Sequence, residues 1–198
     1  AYHPLSVSAS SIKAPINPFR PRALSDHGIR GTIDDFVRCA LLAREAGYDG
    51  VEVMGSEGYF INQFLVTHTN QRTDEYGGSL ENRSRLMREL IAEGRDAIGE
   101  TCGLTLRLSL DEMIGELGFA NAEVRDMIEM HADLPDLWDL AHGAWEDCSG
   151  PSRFKDEGAQ ELLVRGIREL SSRPVVGVGR FTSPDVMVRM IESGTLDF

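Results

Sequence analysis

The sequence predicts an α/β protein with a parallel sheet. Strand patterns alternate with helix patterns along the chain, and the strands are short aliphatic runs such as residues 49–54 and 104–110, as expected for strands buried on both faces. This alternation fits an open doubly wound sheet or part of a (β/α)8 barrel. Four convincing strands and the start of a fifth are found in 198 residues. A complete barrel needs eight strands and about 250 residues, so the count favours an incomplete (β/α)8 barrel.

The elements follow one another in a regular order after an irregular, proline-containing start. Thr32 is the predicted N-cap of the first helix, which ends before Gly47. Ser79 is the predicted cap of the second helix, and Ser183 with Pro184 begins the last one, which ends at Gly194. The remaining predicted elements are strands at 49–54, 104–110, 136–141 and 174–178, helices around 124–128 and 162–170, and the opening of a further strand at 196–198.

Composition narrows the class of protein. The chain has 20 Lys and Arg against 32 Asp and Glu, and this net charge of −12 argues against general binding to nucleic acid or anionic lipid. Cys39, Cys102 and Cys148 form no C-x-x-C pair, so neither a disulfide framework nor a thiolate metal cluster is predicted. No apolar run approaches the roughly twenty residues that span a bilayer. We therefore expect one cytoplasmic domain that acts on a small molecule, with no membrane or nucleic-acid partner and no prediction of oligomeric state.

Glu57 and Tyr59 are the first candidate site residues, because they follow the strand at 49–54 directly. Ligands bind at the carboxyl ends of parallel strands, so an acid and a phenol placed there indicate a site. An ordinary loop with a buried tyrosine is the alternative. Arg107, in the middle of an apolar strand, is costly to bury unless it is paired.

Residues 47–64 and 69–83 resemble the Old Yellow Enzyme family of FMN-dependent oxidoreductases. Within that family, 14–17, 43–48 and 54–59 are most similar to 2,4-dienoyl-CoA reductase. Three later segments, 137–140, 149–154 and 176–184, are more similar to the trimethylamine and histamine dehydrogenase branch. The resemblance covers nearly the whole chain and implies barrel strands four to seven with the start of the eighth, so that residues 1–198 form part of an FMN-binding domain. An iron–sulfur cluster or FAD is expected only in a further C-terminal part.

The resemblance also implies residue roles for hydride transfer between NAD(P)H, FMN and a substrate. Arg107 is expected beside the pyrimidine side of the flavin, and the Gly177, Gly179 and Arg180 turn beside its phosphate. No metal ligand is expected. Asn82 and Arg83 are expected to serve structure rather than chemistry.

Tyr59 matches the family's proton donor in alkene reduction, and Glu57 is expected to orient or relay that proton. Met54 and Glu57 replace the hydrogen-bond donors that many family members use to hold an enone, but dienoyl-CoA reductases share both residues. The remaining expected substrate contacts are His68, Trp145, Glu146 and Asp147. Met54, Glu57 and Tyr59 favour reduction of an unsaturated acyl thioester, whereas Trp145, Glu146 and Asp147 favour the alternative, oxidation of an N-alkyl amine. A barrel fragment without catalysis is the further alternative.

Overall fold

Four parallel strands form the central sheet, with helices packed against one face. The computed structural model describes residues 5–14, 17–143 and 154–198. The strands stand in the order β3-β4-β5-β6, and a separate parallel pair, β1-β2, lies near the start of the chain. The strand bounds are Val7–Ser8 (β1), Arg22–Ala23 (β2), Gly50–Gly55 (β3), Gly103–Ser109 (β4), Leu137–Ala141 (β5) and Val175–Gly177 (β6). The predicted fold class, an incomplete (β/α)8 barrel, is confirmed.

Helices connect the strands on the side that faces away from the barrel interior. Their bounds are Asp26–Glu45 (α1), Asn62–Leu65 (α2), Leu80–Ile98 (α3), Asn121–Met130 (α4), Glu161–Val164 (α5) and Pro184–Glu192 (α6), with 3-10 turns at Gly115–Leu117 and Ile167–Glu169. Among the described residues no helix combines the length and the apolar character needed to cross a membrane.

The register of the sheet separates its two faces. Leu104, Leu106 and Leu108 point into the buried core beneath the helices, together with Trp138 and Leu140. The alternate positions of β4 point to the opposite face, as the period of two in a strand requires. Met54, Arg107 and Asp139 are paired across three neighbouring strands and form one row on that face. Arg107 and Asp139 thus lie on the face of the sheet opposite to the helices.

The first helix begins earlier than the sequence predicts. Ser25, not Thr32, is its cap: the Ser25 hydroxyl accepts a hydrogen bond from Gly28 N at 3.2 Å. Thr32 lies inside the helix and donates its hydroxyl proton to Gly28 O. Gly28 and Gly31 weaken the helix signal in this turn, which is why the pattern placed the start too late.

Two further differences lie near the end of the chain. The helix predicted around 162–170 is broken by Gly166, whose φ of +81° ends α5 and starts a 3-10 turn. Residues 196–198 lie along β6, where Asp197 N donates to Val175 O at 2.9 Å, but they form no regular strand. The caps predicted at Ser79 and Ser183 are confirmed, and Gly194 with a φ of +70° ends α6.

Arg83 ties three segments together, in agreement with its expected structural role. Its guanidinium donates to the carbonyl oxygens of Leu65 and Gly78 and pairs with Glu123, and the residue is 3% exposed. The short helix α2 and the β1-β2 pair were not predicted, because a four-residue helix and two-residue strands carry no periodicity to detect.

Candidate active site

Arg107 is the centre of the candidate site on the interior face of the sheet. Its Nη2 lies 3.3 Å from Glu57 Oε1, and its Nη1 lies 3.6 Å from Asp139 Oδ2. The side chains of the three residues are between 12% and 26% exposed. Arg107 is thus paired with two carboxylates, which is the condition for burying a mid-strand arginine.

The loop after β3 holds Glu57 in an unusual backbone conformation. Glu57 and Gly58 follow one another with φ of +60° and +75°, the left-handed region that a residue with a Cβ seldom adopts. The two backbone N–H groups are both satisfied: Glu57 N donates to Ser109 Oγ at 3.0 Å, and Gly58 N donates to Asn62 Oδ1 at 2.9 Å. The site loop is therefore fixed to β4 and α2 through side chains.

Glu112 lies behind this loop and is 2% exposed. Burial raises the pKa of Glu112 to about 7, against the opposing effect of hydrogen bonds from Asn62 and Ser109. Asn62 Nδ2 donates to Glu112 Oε1 at 2.8 Å. The backbone of Glu112 closes its own loop by donating to Phe119 O at 3.3 Å. A carboxyl group that titrates near neutral pH thus stands beside the candidate site.

Further carboxylates lie on the same face. Partial burial and the neighbouring Asp139 raise the pKa of Glu52, which lies one row below Met54. His142, at the end of β5, is 6% exposed, and burial lowers its pKa, so it is neutral at physiological pH. The face therefore carries several acids around one arginine.

Two polar atoms of the row are suited to a bound group. Arg107 Nε and Asp139 Oδ1 are buried and have no hydrogen-bond partner in the part of the chain that the structure describes. Unsatisfied buried polar atoms in a native protein call for a partner. A flavin pyrimidine ring offers carbonyl acceptors to the guanidinium and an N–H donor to the carboxylate, so the residues present fit FMN.

The predicted phosphate turn follows β6 at the same edge of the sheet. Gly179 is buried, and no acceptor for its N–H is found among the described residues. Arg180 is exposed, with a φ of +55°, and its Nη1 donates to Lys155 O at 2.5 Å. Packing alone favours glycine at position 177, because a Cβ there would lie 2.7 Å from Cδ2 of Leu196. The role of these three residues at a phosphate stays a prediction.

The segment before α5 is bonded to this turn. Gly158 N donates to Gly179 O at 2.8 Å, and Glu157 Oε1 accepts from the N–H groups of Thr182 and Ser183, both at 2.6 Å. These bonds, together with that from Arg180 to Lys155, hold residues 155–158 against the start of α6.

The other predicted site residues are less closely connected to Arg107. Tyr59 is 45% exposed, two residues after Glu57 in the same loop. His68 is exposed in the turn that follows α2, and no bond in the described ranges joins it to Glu57 or Arg107. Trp145, Glu146 and Asp147 lie outside the described residues. The roles predicted for all five stay predictions.

Four polar residues of the site were missed by sequence reasoning: Asn62, Ser109, Glu112 and Asp139. Ser109 stands two positions from Arg107 on β4, so the strand period was a usable signal for it, whereas Asp139 is paired with Arg107 across β4 and β5 and could be placed only through the register. Glu112 follows the carboxyl end of β4, where functional groups collect. Asn62 gave no signal, because the helix that places it was not predicted.

Known proteins resemble this chain along almost all of its length. Histamine dehydrogenase from Rhizobium sp. 4-9 is 56% identical, with a TM-score of 0.92 over 98% of this chain and 29% of its own. The dimethylamine dehydrogenase of Hyphomicrobium sp. (strain x) is 36% identical over 167 residues, which are 82% of this chain and 23% of that protein. A 2-naphthoyl-CoA reductase is 28% identical with a TM-score of 0.89, covering 98% of this chain and 30% of its own. The chain thus spans less than a third of the length of each relative.

The family model for the NADH:flavin oxidoreductase / NADH oxidase family matches residues 3–198. Together with the parallel sheet and an Arg107 suited to a flavin, this match establishes that the chain belongs to that family of FMN-dependent oxidoreductases.

Proposed function

We propose that residues 1–198 form part of the FMN-binding barrel of an enzyme that oxidises a cationic or N-alkylated amine. The observation that carries the proposal is the charge of the interior face. Glu57 and Asp139 both pair with Arg107, so this group of described residues carries an excess of negative charge, and Glu52 is a further acid beside it. Such a face attracts an ammonium group and repels an anionic thioester.

The chemistry of the flavin is to accept two electrons and the hydrogen that leaves the carbon next to nitrogen. The carbon–hydrogen bond breaks as a carbon–nitrogen double bond forms, so the amine must be neutral when it reacts. Glu57 draws in the protonated amine, and the proton that the amine must lose before it reacts goes to solvent. Arg107 favours the negative charge that reduction places on the ring.

The relatives support amine chemistry more strongly than thioester chemistry. Histamine dehydrogenase is twice as similar to this chain as the 2-naphthoyl-CoA reductase is, at 56% against 28% identity. Both the histamine and dimethylamine enzymes are named for amine substrates.

Reduction of an unsaturated acyl thioester, the first choice from sequence, is the second candidate function. The observation that favours it is Tyr59, a partly exposed phenol at the end of β3 that can deliver a proton to carbon. The likeness to a 2-naphthoyl-CoA reductase also supports thioester reduction. Here NAD(P)H would supply the hydride, and Tyr59 the proton.

Anaerobic stopped-flow spectroscopy of the full-length enzyme separates the two functions. We expect a panel of primary and methylated amines to bleach the oxidised flavin, and a dienoyl-CoA to leave NADH-reduced flavin unchanged. Glu57→Gln removes a charge that meets the cation, so the amine KM rises by about tenfold or more. Glu116→Gln, an exposed acid of the 3-10 turn after β4, is the matched control. Fast reoxidation by dienoyl-CoA without reduction by any amine would reverse the assignment.

A further inference from the structure

We infer that Glu112 is a positioning residue for the loop that carries Glu57 and Tyr59, because it fixes the direction of two hydrogen-bond relays that end on the backbone of that loop. The inference rests on the proposed function in one respect: it takes this loop as the one that meets the substrate. It assigns Glu112 no contact with substrate or flavin.

The first relay passes through Asn62. Glu112 Oε1 accepts from Asn62 Nδ2 at 2.8 Å, and Asn62 Oδ1 accepts from Gly58 N at 2.9 Å. Because Asn62 Nδ2 donates to Glu112, the amide nitrogen faces the carboxyl group and the amide oxygen is left to face Gly58. With Asn62 2% exposed, no water competes to turn the amide the other way.

The second relay passes through Ser109. Ser109 lies beside Glu112, where it favours the ionised form of the carboxyl group, and the Ser109 oxygen accepts from Glu57 N at 3.0 Å. A hydroxyl has one proton to donate. When that proton is directed to Glu112, a lone pair of Ser109 Oγ is available to the Glu57 amide. Ser109 is 1% exposed, so this arrangement is also shielded from solvent.

The two relays end on Glu57 and Gly58, which follow one another in the loop after β3 and both have left-handed backbone. Glu57 has a φ of +60° although it carries a Cβ. Such a conformation persists only where the surroundings determine it. The backbone N–H groups of Glu57 and Gly58 are both bonded to side chains that Glu112 orients. Glu112 therefore determines where the Glu57 carboxylate stands relative to Arg107.

Charged groups on two elements face Glu112. Asp111 precedes it in the loop after β4, and Glu57 lies in the loop after β3; both disfavour its ionised form. Asn62 on α2 and Ser109 on β4 favour the ionised form by donating to it. The glutamate thus holds its place through hydrogen bonds rather than through an ion pair.

Site-resolved amide hydrogen exchange of the full-length holoenzyme tests the inference without any turnover. Glu112→Leu removes the carboxyl group that Asn62 and Ser109 face. We expect the Glu57 and Gly58 amides to exchange about tenfold faster or more in this variant. Glu112→Gln can still accept from Asn62, so exchange at Gly58 should remain within about twofold of wild type. The amide group of Gln cannot also accept the Ser109 proton, so the Glu57 amide alone should exchange faster. Glu116→Gln, in the same loop but exposed, is the matched control.

Two milder variants separate the relays should Glu112→Leu fail to fold. Ser109→Ala should accelerate exchange at Glu57 but not at Gly58, and Asn62→Ala should show the opposite preference. Unchanged protection at both amides in these variants, or in a folded Glu112→Leu, would overturn the inference. Equal acceleration at Gly58 by Glu112→Gln and Glu112→Leu would also overturn it. Because exchange is read without substrate, the result is independent of whether amines reduce the flavin.

Discussion

Arg107 and Asp139 occupy paired positions on β4 and β5, with Arg107 Nη1 3.6 Å from Asp139 Oδ2. The carboxylate partly neutralises the guanidinium on the face expected to meet the flavin. Its second oxygen, Oδ1, is buried without a partner among the described residues. The balance between these two charges therefore bears directly on how strongly the site favours reduced flavin.

Asp139→Asn should raise the midpoint potential of the bound flavin. Without the carboxylate, Arg107 stabilises the negative charge of the reduced ring more strongly. We expect a rise of roughly 20 to 60 mV, which corresponds to about 1 to 3 kcal/mol for two electrons. Potentiometric titration of the full-length enzyme measures it, with Asp96→Asn on the exposed side of α3 as control. A fall in potential would show that Asp139 does not act through Arg107.

Tyr59→Phe should distinguish the two candidate substrates. Loss of a general acid lowers the rate of alkene reduction by about 10² to 10⁴. Amine oxidation delivers no proton to carbon, so its rate should change by less than about threefold. Single-turnover kinetics with each substrate class give the answer. Thioester reduction that survives the substitution at full rate would remove Tyr59 from the proton-donor role.

Glu112→Gln should change how stability depends on pH. The folded-state pKa of Glu112, about 7, is above its unfolded value near 4.5, so the folded protein binds the extra proton between these values. Glu112 therefore makes the wild type lose stability as pH rises from about 4.5 to 7, with no further change above that range. Gln cannot titrate. The free energy of unfolding of Glu112→Gln, relative to that of wild type, should therefore increase by up to roughly 3 kcal/mol between pH 5 and 8.

Denaturant unfolding of both full-length proteins across this pH range measures that difference. His131, whose pKa is lowered by burial, contributes with the opposite sign by weakening the fold as pH falls below about 6.5. It is present in both proteins, and its contribution cancels in the comparison. A constant difference from pH 5 to 8 would contradict the expectation.

Arg83→Met should reduce stability without a comparable effect on flavin chemistry. The substitution leaves Glu123 and the carbonyl oxygen of Leu65 without their donor. Breaking a buried pair costs about 3 to 5 kcal/mol, and because Glu123 is partly exposed the lower end is expected. Thermal unfolding measures the loss, with Arg38→Met on the exposed side of α1 as control. A shifted flavin potential in a stable variant would argue for a site role instead.

The strands and the longer helices were predictable because each buries a continuous aliphatic stripe. The ends of the four sheet strands differ from prediction by at most one residue. What periodicity could not supply was the local hydrogen bonding. Ser25 replaces Thr32 as a cap through one 3.2 Å contact, and Gly166 breaks a helix through its φ alone. In the site, Arg107 and Glu57 were recognised from residue type, whereas Glu112 becomes significant only once α2 brings Asn62 to it.

The bonds between residues 155–158 and the turn at 179–183 divide the β5–α5 connection into two parts. Trp145–Asp147, the predicted substrate contacts, precede Lys155 by eight residues in the same connection. The part from Lys155 onward is anchored to the predicted phosphate turn by Arg180 and Gly158. An insertion within 155–158 would therefore displace the predicted phosphate turn as well, because the two segments share these bonds.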